Sequence, residues 1–341
     1  MTRLPPWGLP TEDLDRCVSA LSDDILRWNG ARILVTGGTG FLGRWIVATT
    51  LWATHRLDLQ LDLAITTRAS RLDALSSWPR VEVLSGNLER WTPAGSFDLV
   101  IHGAANSSAP LGHSDATPSA MSSTIIDGTR RVIDCAARTR ARLLFLSSGA
   151  VYGRQFAPVP ESTNAAPDPL EPSSAYGEAK RAAENFCAVA SSEGVIDAVV
   201  ARLFAFVGPG IPLDAHYAVG NFLRDVSMHQ PIAVSGDGRP LRSYLYTADL
   251  PEWCWALTSR GKTGRAYNVG SPAAISISEL ARKVSRLVDP IAKVEVRGLP
   301  TKGPAPCYVP ITELARAELG LEPRTSIDEA LNRTFAHITA E

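Results

Sequence analysis

What this 341-residue sequence has little of narrows it first. Its five cysteines, Cys17, Cys135, Cys187, Cys254 and Cys307, stand far apart with no Cys-x-x-Cys pair, so neither a zinc site nor a disulfide framework is suggested. Its six histidines form no ligand-spaced cluster, and no resident metal is expected. The 34 basic and 35 acidic residues leave a formal net charge of -1, too little to draw a nucleic acid or a membrane surface. No apolar run reaches the length of a membrane span. Residues 1–16 carry prolines and acids where a signal peptide needs a basic start and an unbroken apolar stretch. A reducing, cytoplasmic setting is the expectation. With 45% hydrophobic and 20% charged residues, the composition is that of an ordinary soluble globular chain.

Glycine, by contrast, is concentrated. "TGGTGFLG" at 36–43 puts four glycines in eight residues, directly after the apolar run Ile33-Leu34-Val35. Glycine gives up the most backbone freedom on folding, so such a cluster marks a sharp turn or a close approach. The surroundings explain it. A short buried strand at 32–35 precedes it, and a helical pattern at 41–53 follows. Further strand patterns lie at 61–66, 81–84, 98–102, 143–146 and 198–203, with an amphipathic helix at 119–138. Strand–helix alternation of this kind predicts an α/β, Rossmann-type, doubly wound parallel sheet. Residues 11–28, with Leu14, Val18, Leu21, Ile25 and Trp28 at helical spacing, predict a helix packed on the body or on another subunit. The expected organisation is an N-terminal helical extension at 1–30 and a dinucleotide-binding domain at 31–204. A smaller, turn-rich, mainly substrate-binding region covers 205–341, with a segment near 243–270 returning to the first domain.

A glycine turn between a strand and a helix is where a dinucleotide fingerprint belongs. Gly38, Gly40 and Gly43 fit Gly-x-Gly-x-x-Gly, and Gly37, Gly40 and Gly43 equally fit Gly-x-x-Gly-x-x-Gly. Either lets the backbone approach a pyrophosphate, whose charge rests on the helix N-terminus. At the end of the second strand a carboxylate favours NAD and an arginine accommodates a 2′-phosphate. The stretch "AITTRAS" offers Arg68 and no carboxylate before Asp73, which favours NADP, with NAD still open.

In "SAYGEAKRAAENF", Tyr176 and Lys180 are four apart on a helical pattern and share a face. A phenol is a poor base at neutral pH, and a neighbouring ammonium favours the phenolate. Such a pair can exchange a proton with a substrate hydroxyl while a nicotinamide exchanges the hydride. Ser147 and Ser148 fall at the carboxyl end of the strand just upstream, where one hydroxyl can orient the same oxygen.

Together with "HGAAN" at 102–106, "SSGAVYG" at 147–153, "YGEAK" at 176–180, "ARLFAFVGPG" at 201–210 and "GDGRPLRSYLYTADL" at 236–250, these motifs resemble the extended branch of the short-chain dehydrogenase/reductase family. Its members include the nucleotide-sugar epimerases and dehydratases, and the match spans roughly 31–335. The resemblance implies that Gly37, Gly40, Phe41, Leu42 and Gly43 hold the pyrophosphate. Asn87, in place of the family's aspartate, and Leu88 would lie beside the adenine, with Ala104 and Ala105 beneath the cofactor. Ser148, Tyr176 and Lys180 would be the catalytic trio, Tyr176 and Lys180 touching the cofactor as well. Asn221 and Arg242 would bind the substrate, the arginine through its diphosphate. A homodimer formed by the helices at 119–138 and 176–190 is implied too.

The departures narrow the chemistry. The family's dehydratases follow the catalytic Ser or Thr with an acid pair, and its decarboxylases place a Glu second. Here Gly149 and Ala150 stand there, and neither can move a proton. Ile125 and Ala205 replace asparagines common in the family, which implies a less polar sugar pocket. The expectation is therefore an NAD(P)-dependent enzyme acting only at C4 of a nucleotide sugar, as a 4-epimerase or 4-ketoreductase. The alternative is a dehydratase or decarboxylase that takes a carboxylate such as Glu161 or Glu178 from elsewhere. From another class, a non-catalytic dinucleotide-binding protein is weighed against by the presence of both Tyr176 and Lys180.

Overall fold

Residues 4–68, 72–105, 117–215, 217–288, 290–299 and 302–340 are described by a computed structural model. The N-terminal half contains helix α1 (Thr11–Leu26), strand β1 (Arg32–Thr36), helix α2 (Phe41–Arg56), β2 (Asp62–Thr67), β3 (Val81–Ser85) and β4 (Leu99–His102). It continues with α3 (Pro118–Ala137), β5 (Arg142–Ser148), α4 (Ala175–Ser192) and β6 (Asp197–Leu203). Then come β7 (Ala205–Val207), α5 (Ala218–Ser227), β8 (Ile232–Val234), β9 (Leu241–Arg242), β10 (Tyr244–Tyr246), α6 (Leu250–Arg260) and β11 (Ala266–Val269). The chain closes with β12 (Ile275–Ser276), α7 (Ile277–Ser285), β13 (Val294–Val296), β14 (Cys307–Tyr308), α8 (Glu313–Leu319) and α9 (Ile327–Ala340).

Seven of these strands form one parallel sheet in the order β11-β6-β5-β4-β1-β2-β3. From β1 the chain steps outward through β2 and β3, then returns to the other side of β1 for β4, β5 and β6. The order reverses between β1 and β4, where a crevice opens beyond the carboxyl ends of the strands. The registers bring those ends level, with Thr36 of β1 opposite Thr66 of β2 and His102 of β4. Both faces of the sheet are covered, as the apolar character of its strands requires. Side chains alternate accordingly. Ile33, Val35, Leu144 and Leu146 join the apolar core on the α1, α2 and α6 side. Leu34, Leu143 and Phe145 join the core with α3 and α4, which supply Ile125, Val132, Ala183 and Cys187.

The helix expected at 11–28 ends at Leu26, and Trp28 lies in the turn that follows. Of its two expected partners it takes the body. Leu14, Leu21 and Ile25 are fully buried against α2 and α6. Trp28 Nε1 donates to Ser259 Oγ at 3.0 Å, and Arg333 of α9 donates to the buried Asp13 at 2.9 Å. Beyond β6, short strand pairs β7–β10 and β8–β13 and the three-stranded β12-β9-β14 build a wall facing the crevice. Between them the chain returns to the main sheet as α6, with Trp253 and Trp255 wholly buried, and as edge strand β11.

Candidate active site

The site begins at the glycine turn between β1 and α2, and each glycine there has its own reason. Gly37 has φ +73°, a left-handed conformation that L side chains rarely adopt, and an added Cβ would lie 2.6 Å from the carbonyl carbon of Gly103. A Cβ on Gly43 would lie 2.0 Å from the carbonyl oxygen of Gly37. Gly38 instead faces Val47 and Ile65 between helix and sheet. A Cβ on Gly38 would lie 2.9 Å from Val47 and 3.0 Å from Ile65, so the first glycine of either spacing is sterically required, with Gly37 set apart by its left-handed backbone. Gly40 is the residue capping α2, and an added Cβ there would make only an ordinary contact, 3.4 Å from the Gly37 carbonyl oxygen. The first turn of α2, whose N–H groups have no intrahelical partner, lines the cavity through Phe41, Leu42 and Gly43, a setting suited to an anion.

That cavity encloses about 880 Å³. All of the residues expected to bind or react stand in its wall: Gly37, Gly40, Phe41, Leu42, Gly43, Arg68, Asn87, Leu88, Ala104, Ala105, Ser148, Tyr176, Lys180, Asn221 and Arg242. Asn106 lies outside the described residues. One end of the cavity is made by exposed Arg68 after β2 and by the Asn87–Leu88–Glu89 turn after β3. Asn87 Oδ1 accepts from the Glu89 N–H at 3.0 Å, and Glu89 accepts from Thr124 of α3. Glu89 is the one carboxylate among the described lining residues.

The floor at Gly103–Ala104 is held by a buried chain of hydrogen bonds. The Thr129 hydroxyl donates to Ile125 O at 2.6 Å, so towards His102 Nε2, 3.0 Å away, it accepts. His102 Nδ1 is then an acceptor for the Thr36 hydroxyl at 2.6 Å, and Thr36 Oγ1 in turn accepts from the Ala104 N–H. Burial, with Lys180 adding to it, pushes His102 down to about 3, so the ring is neutral as this pattern needs.

At the other end, Ser148 is the last residue of β5. Its Oγ accepts from the Ala150 N–H at 3.1 Å and lies 3.3 Å from Tyr308 Oη. Ser147 Oγ turns to Glu184 instead, which leaves Ser148 to meet a ligand. Tyr176 and Lys180 project from successive turns of α4, with Lys180 Nζ 6.0 Å from the Tyr176 ring centroid. Lys180 is buried and donates to Leu146 O at 2.7 Å. Burial lowers it to about 8 and the Glu184 carboxylate works in the other direction.

Three more residues shape this end. Tyr308 of β14 was not reached by the sequence reading, because nothing local in "PCYVP" sets it apart and only the fold carries it to Ser148. Burial pushes its hydroxyl up, opposed by the bond to Ser148. Phe204 lies 4.8 Å from Tyr308, ring to ring. It also covers Gly149, where an added Cβ would meet its ring carbons at 2.8 Å. The space that a side chain at position 149 would need is thus filled by an aromatic ring. Arg242 faces the cavity from β9, 5.7 Å from the Tyr308 ring centroid. Asn221, with its amide oriented by its neighbours, donates to the carbonyls of Ala215 and Leu213, both at 3.1 Å.

The two carboxylates expected as possible substitutes do not line this cavity. Glu161 accepts from the Asn268 N–H at 2.8 Å, and Glu178 pairs with Arg181 at 3.7 Å. Among the described residues there is no group of three or more metal-binding side chains, and no helix is long and apolar enough to cross a membrane.

The family model described as NAD dependent epimerase/dehydratase family matches residues 33–270. The UDP-glucuronic acid decarboxylase 1 of Arabidopsis thaliana is 31% identical over 303 residues, covering 89% of this chain and 68% of that protein. A UDP-glucose 4-epimerase from Thermotoga maritima, solved with UDP-glucose, has a TM-score of 0.73 at 22% identity, covering 91% of this chain and 99% of that one. MoeE5, solved with UDP-glucuronic acid and NAD, has a TM-score of 0.74 at 22% identity with the same coverage. At such identity the likeness to the solved structures is one of fold.

Proposed function

Since the chain belongs to the NAD-dependent epimerase/dehydratase family, we propose that it is a nucleotide-sugar enzyme that exchanges a hydride at C4 of its substrate. The observation that carries this is the convergence of Ser148, Tyr176 and Lys180 on the cavity that starts at the glycine turn. The residues present fit a dinucleotide, because Gly40 leaves open the space a Cβ would fill at the N-terminus of α2. Gly37, Gly40 and the first turn of α2 would hold its pyrophosphate, and Lys180 its nicotinamide ribose. When bound, it supplies the hydride acceptor and donor.

The chain's own groups do the proton work. Tyr176 takes the proton from the C4 hydroxyl, or returns it to a C4 ketone. The Lys180 ammonium favours the phenolate. Ser148 holds the same oxygen by a hydrogen bond, which also stabilises negative charge developing on it. Arg242 suits the diphosphate, for which a guanidinium fork is well shaped.

The fate of the C4 ketone is the finer question. The curated relatives weigh towards the decarboxylase alternative rather than the 4-epimerase or 4-ketoreductase reading. Loss of CO2 from a 4-keto uronic acid breaks the C5–C6 bond and delivers its electron pair into the C4 carbonyl, and C5 of the resulting enolate then takes a proton from water. The cleavage needs donors on the carbonyl oxygen, which Ser148 and Tyr176 provide, and no base. With water as the proton source, Gly149 and Ala150 do not bar it. A 4,6-dehydration needs an acid and a base across C5 and C6; Phe204 fills the space a side chain at position 149 would need, and Ala150 carries no acid. A reaction confined to C4 remains the second reading, favoured by the missing glutamate at Ala150.

Incubation with UDP-glucuronic acid or UDP-glucose and either cofactor, followed by chromatographic separation of the sugar nucleotides and mass spectrometry, tests this. Loss of CO2 from the uronic acid supports decarboxylation, and an epimer of unchanged mass supports C4 chemistry alone. If neither sugar, nor a 4-keto sugar offered with reduced cofactor, is altered, the C4 proposal falls. Arg68 at the open end of the cavity supports NADP over NAD. The pair of packed helices α3 and α4 supports a homodimer through their outer faces. A monomer mass in sedimentation at micromolar concentration would remove that assembly.

A further inference from the structure

We propose that Glu184 is a positioning residue for the catalytic trio, tying the helix that carries Tyr176 and Lys180 to the strand end that carries Ser148. Glu184 lies one turn beyond Lys180 on α4. Its Oε1 accepts from Ser147 Oγ at 2.5 Å and from Arg202 Nε at 3.0 Å, and its Oε2 accepts from Arg202 Nη2 at 2.7 Å. Only 13% of the Glu184 side chain and 17% of the Arg202 side chain are exposed. Arg202, on β6, also donates to Tyr152 Oη at 2.8 Å, and Tyr152 donates to Asn268 Oδ1 at 2.8 Å. The carboxylate thus sits where α4, β5 and β6 meet, with its bonds supplied from two strands.

Two consecutive residues of β5 are gripped by α4 in this way. Lys180 Nζ donates to Leu146 O, and Glu184 accepts from Ser147. The next residue is Ser148. A shift of α4 along the sheet would separate Tyr176 from Ser148, and the two grips oppose it. Such alignment matters because reacting groups need near-attack geometry.

Glu184 acts on charge as well. The groups facing Lys180 are His102 from β4, Tyr176 and Cys187 from α4, and Glu184 itself, with Arg202 of β6 behind it. His102 is neutral, and burial pushes the Cys187 thiol up to about 12. Glu184 is therefore the negative group that favours the Lys180 ammonium, which in turn favours the Tyr176 phenolate. A purely structural ion pair would hold the helix without touching this titration.

The turnover part of the test rests on the C4 proposal, and a substrate-free measurement separates the two. The chain has five lysines, so lysine labelled with carbon-13 gives a spectrum simple enough to assign with Lys180→Arg. Lys180 should titrate near pH 8 in the wild type. In Glu184→Gln it should titrate about one pH unit lower, the scale of losing one near opposite charge. The basic limb of kcat should move with it while KM stays within twofold, and Glu184→Asp should restore most of both. An unmoved Lys180 titration in Glu184→Gln overturns the proposal. Should that variant not fold, Ser147→Ala decides: kcat should fall about fivefold or more at unchanged KM, and a wild-type kcat overturns the proposal. If the wild type turns over nothing, the C4 proposal fails while the lysine titration still tests Glu184.

Discussion

Replacing Gly40 and Gly43 by alanine should give opposite results, although both lie in the same turn. At Gly43 the new Cβ would sit 2.0 Å from the Gly37 carbonyl oxygen, a backbone atom that cannot swing away. Overpacking of this kind costs about 1–3 kcal/mol, against about 1 kcal/mol gained from alanine's better helix propensity. At Gly40 the backbone has φ -75°, which alanine adopts freely, and the nearest atom is at 3.4 Å. There the folded protein should lose nothing, and the stiffer unfolded chain contributes about 0.4–1 kcal/mol in its favour. Cofactor binding should tell the converse story for Gly40→Ala. In the proposed binding mode its methyl group would stand where the pyrophosphate approaches the N-terminus of α2, an interaction worth up to about 2 kcal/mol in partly buried settings. With the steric cost added, a weakening of roughly 100-fold is expected, about 2.8 kcal/mol. Thermal unfolding without ligand and fluorescence titration with NAD and NADP read the two effects separately. Gly40→Ala should melt at or above the wild-type temperature and bind poorly, and Gly43→Ala should melt lower. If Gly40→Ala bound either cofactor within threefold of wild type, the pyrophosphate would not lie on this turn. If Gly43→Ala melted at the wild-type temperature, the close approach to Gly37 would be refuted.

Tyr176→Phe should keep fold and cofactor affinity and lower kcat by roughly 100-fold or more, the scale of one acid–base group; near-normal turnover would exclude Tyr176 from the chemistry. Arg68→Ala should weaken NADP more than NAD in the same titrations, and equal losses would count against a 2′-phosphate contact. His102 supplies a test of stability against pH. Its folded value of about 3 lies below the ordinary 6.5. Between those values the unfolded chain binds a proton that the folded chain refuses, so this contribution is present above pH 6.5 and is lost as pH falls towards 3. Relative to His102→Asn, the wild type should lose up to about 1.4 kcal/mol per pH unit below pH 6 in denaturant unfolding; a constant difference would mean that His102 is not held neutral.

The sheet was legible because its strands are short apolar runs separated by helical patterns, and a strand buried on both faces has little choice about where it goes. Tyr176 and Lys180 were legible for the same kind of reason, since a spacing of four fixes a shared helix face. Local pattern stopped at contacts made across the fold. Tyr308 reaches Ser148 from 160 residues away in sequence, and Phe204 covers Gly149 from another strand. That Gly37 lies against Gly103 and Gly38 against Val47 and Ile65 is likewise something no spacing reveals. The fitness of Glu161 as a substitute acid could not be judged either, because its partner Asn268 comes from 107 residues away and appears only once the chain is folded.

The path of the chain between β6 and β11 bears on how such an enzyme can change its substrate. After Leu203 the chain leaves the main sheet, builds most of the far wall of the cavity, and comes back to lay α6 and β11 against it. Trp45 of α2 donates to Pro209 O, and Tyr246 of β10 donates to Asp13 of α1, so the two parts are also bonded across. A fragment cut after Leu203 would expose the free edge of β6 and strip the sheet of two buried tryptophans, inviting association through that edge. No single crossover point lets recombination exchange the far wall of the cavity while the main sheet stays intact. New specificity in this architecture has to accumulate by point substitution around the cavity, and its halves are inherited together.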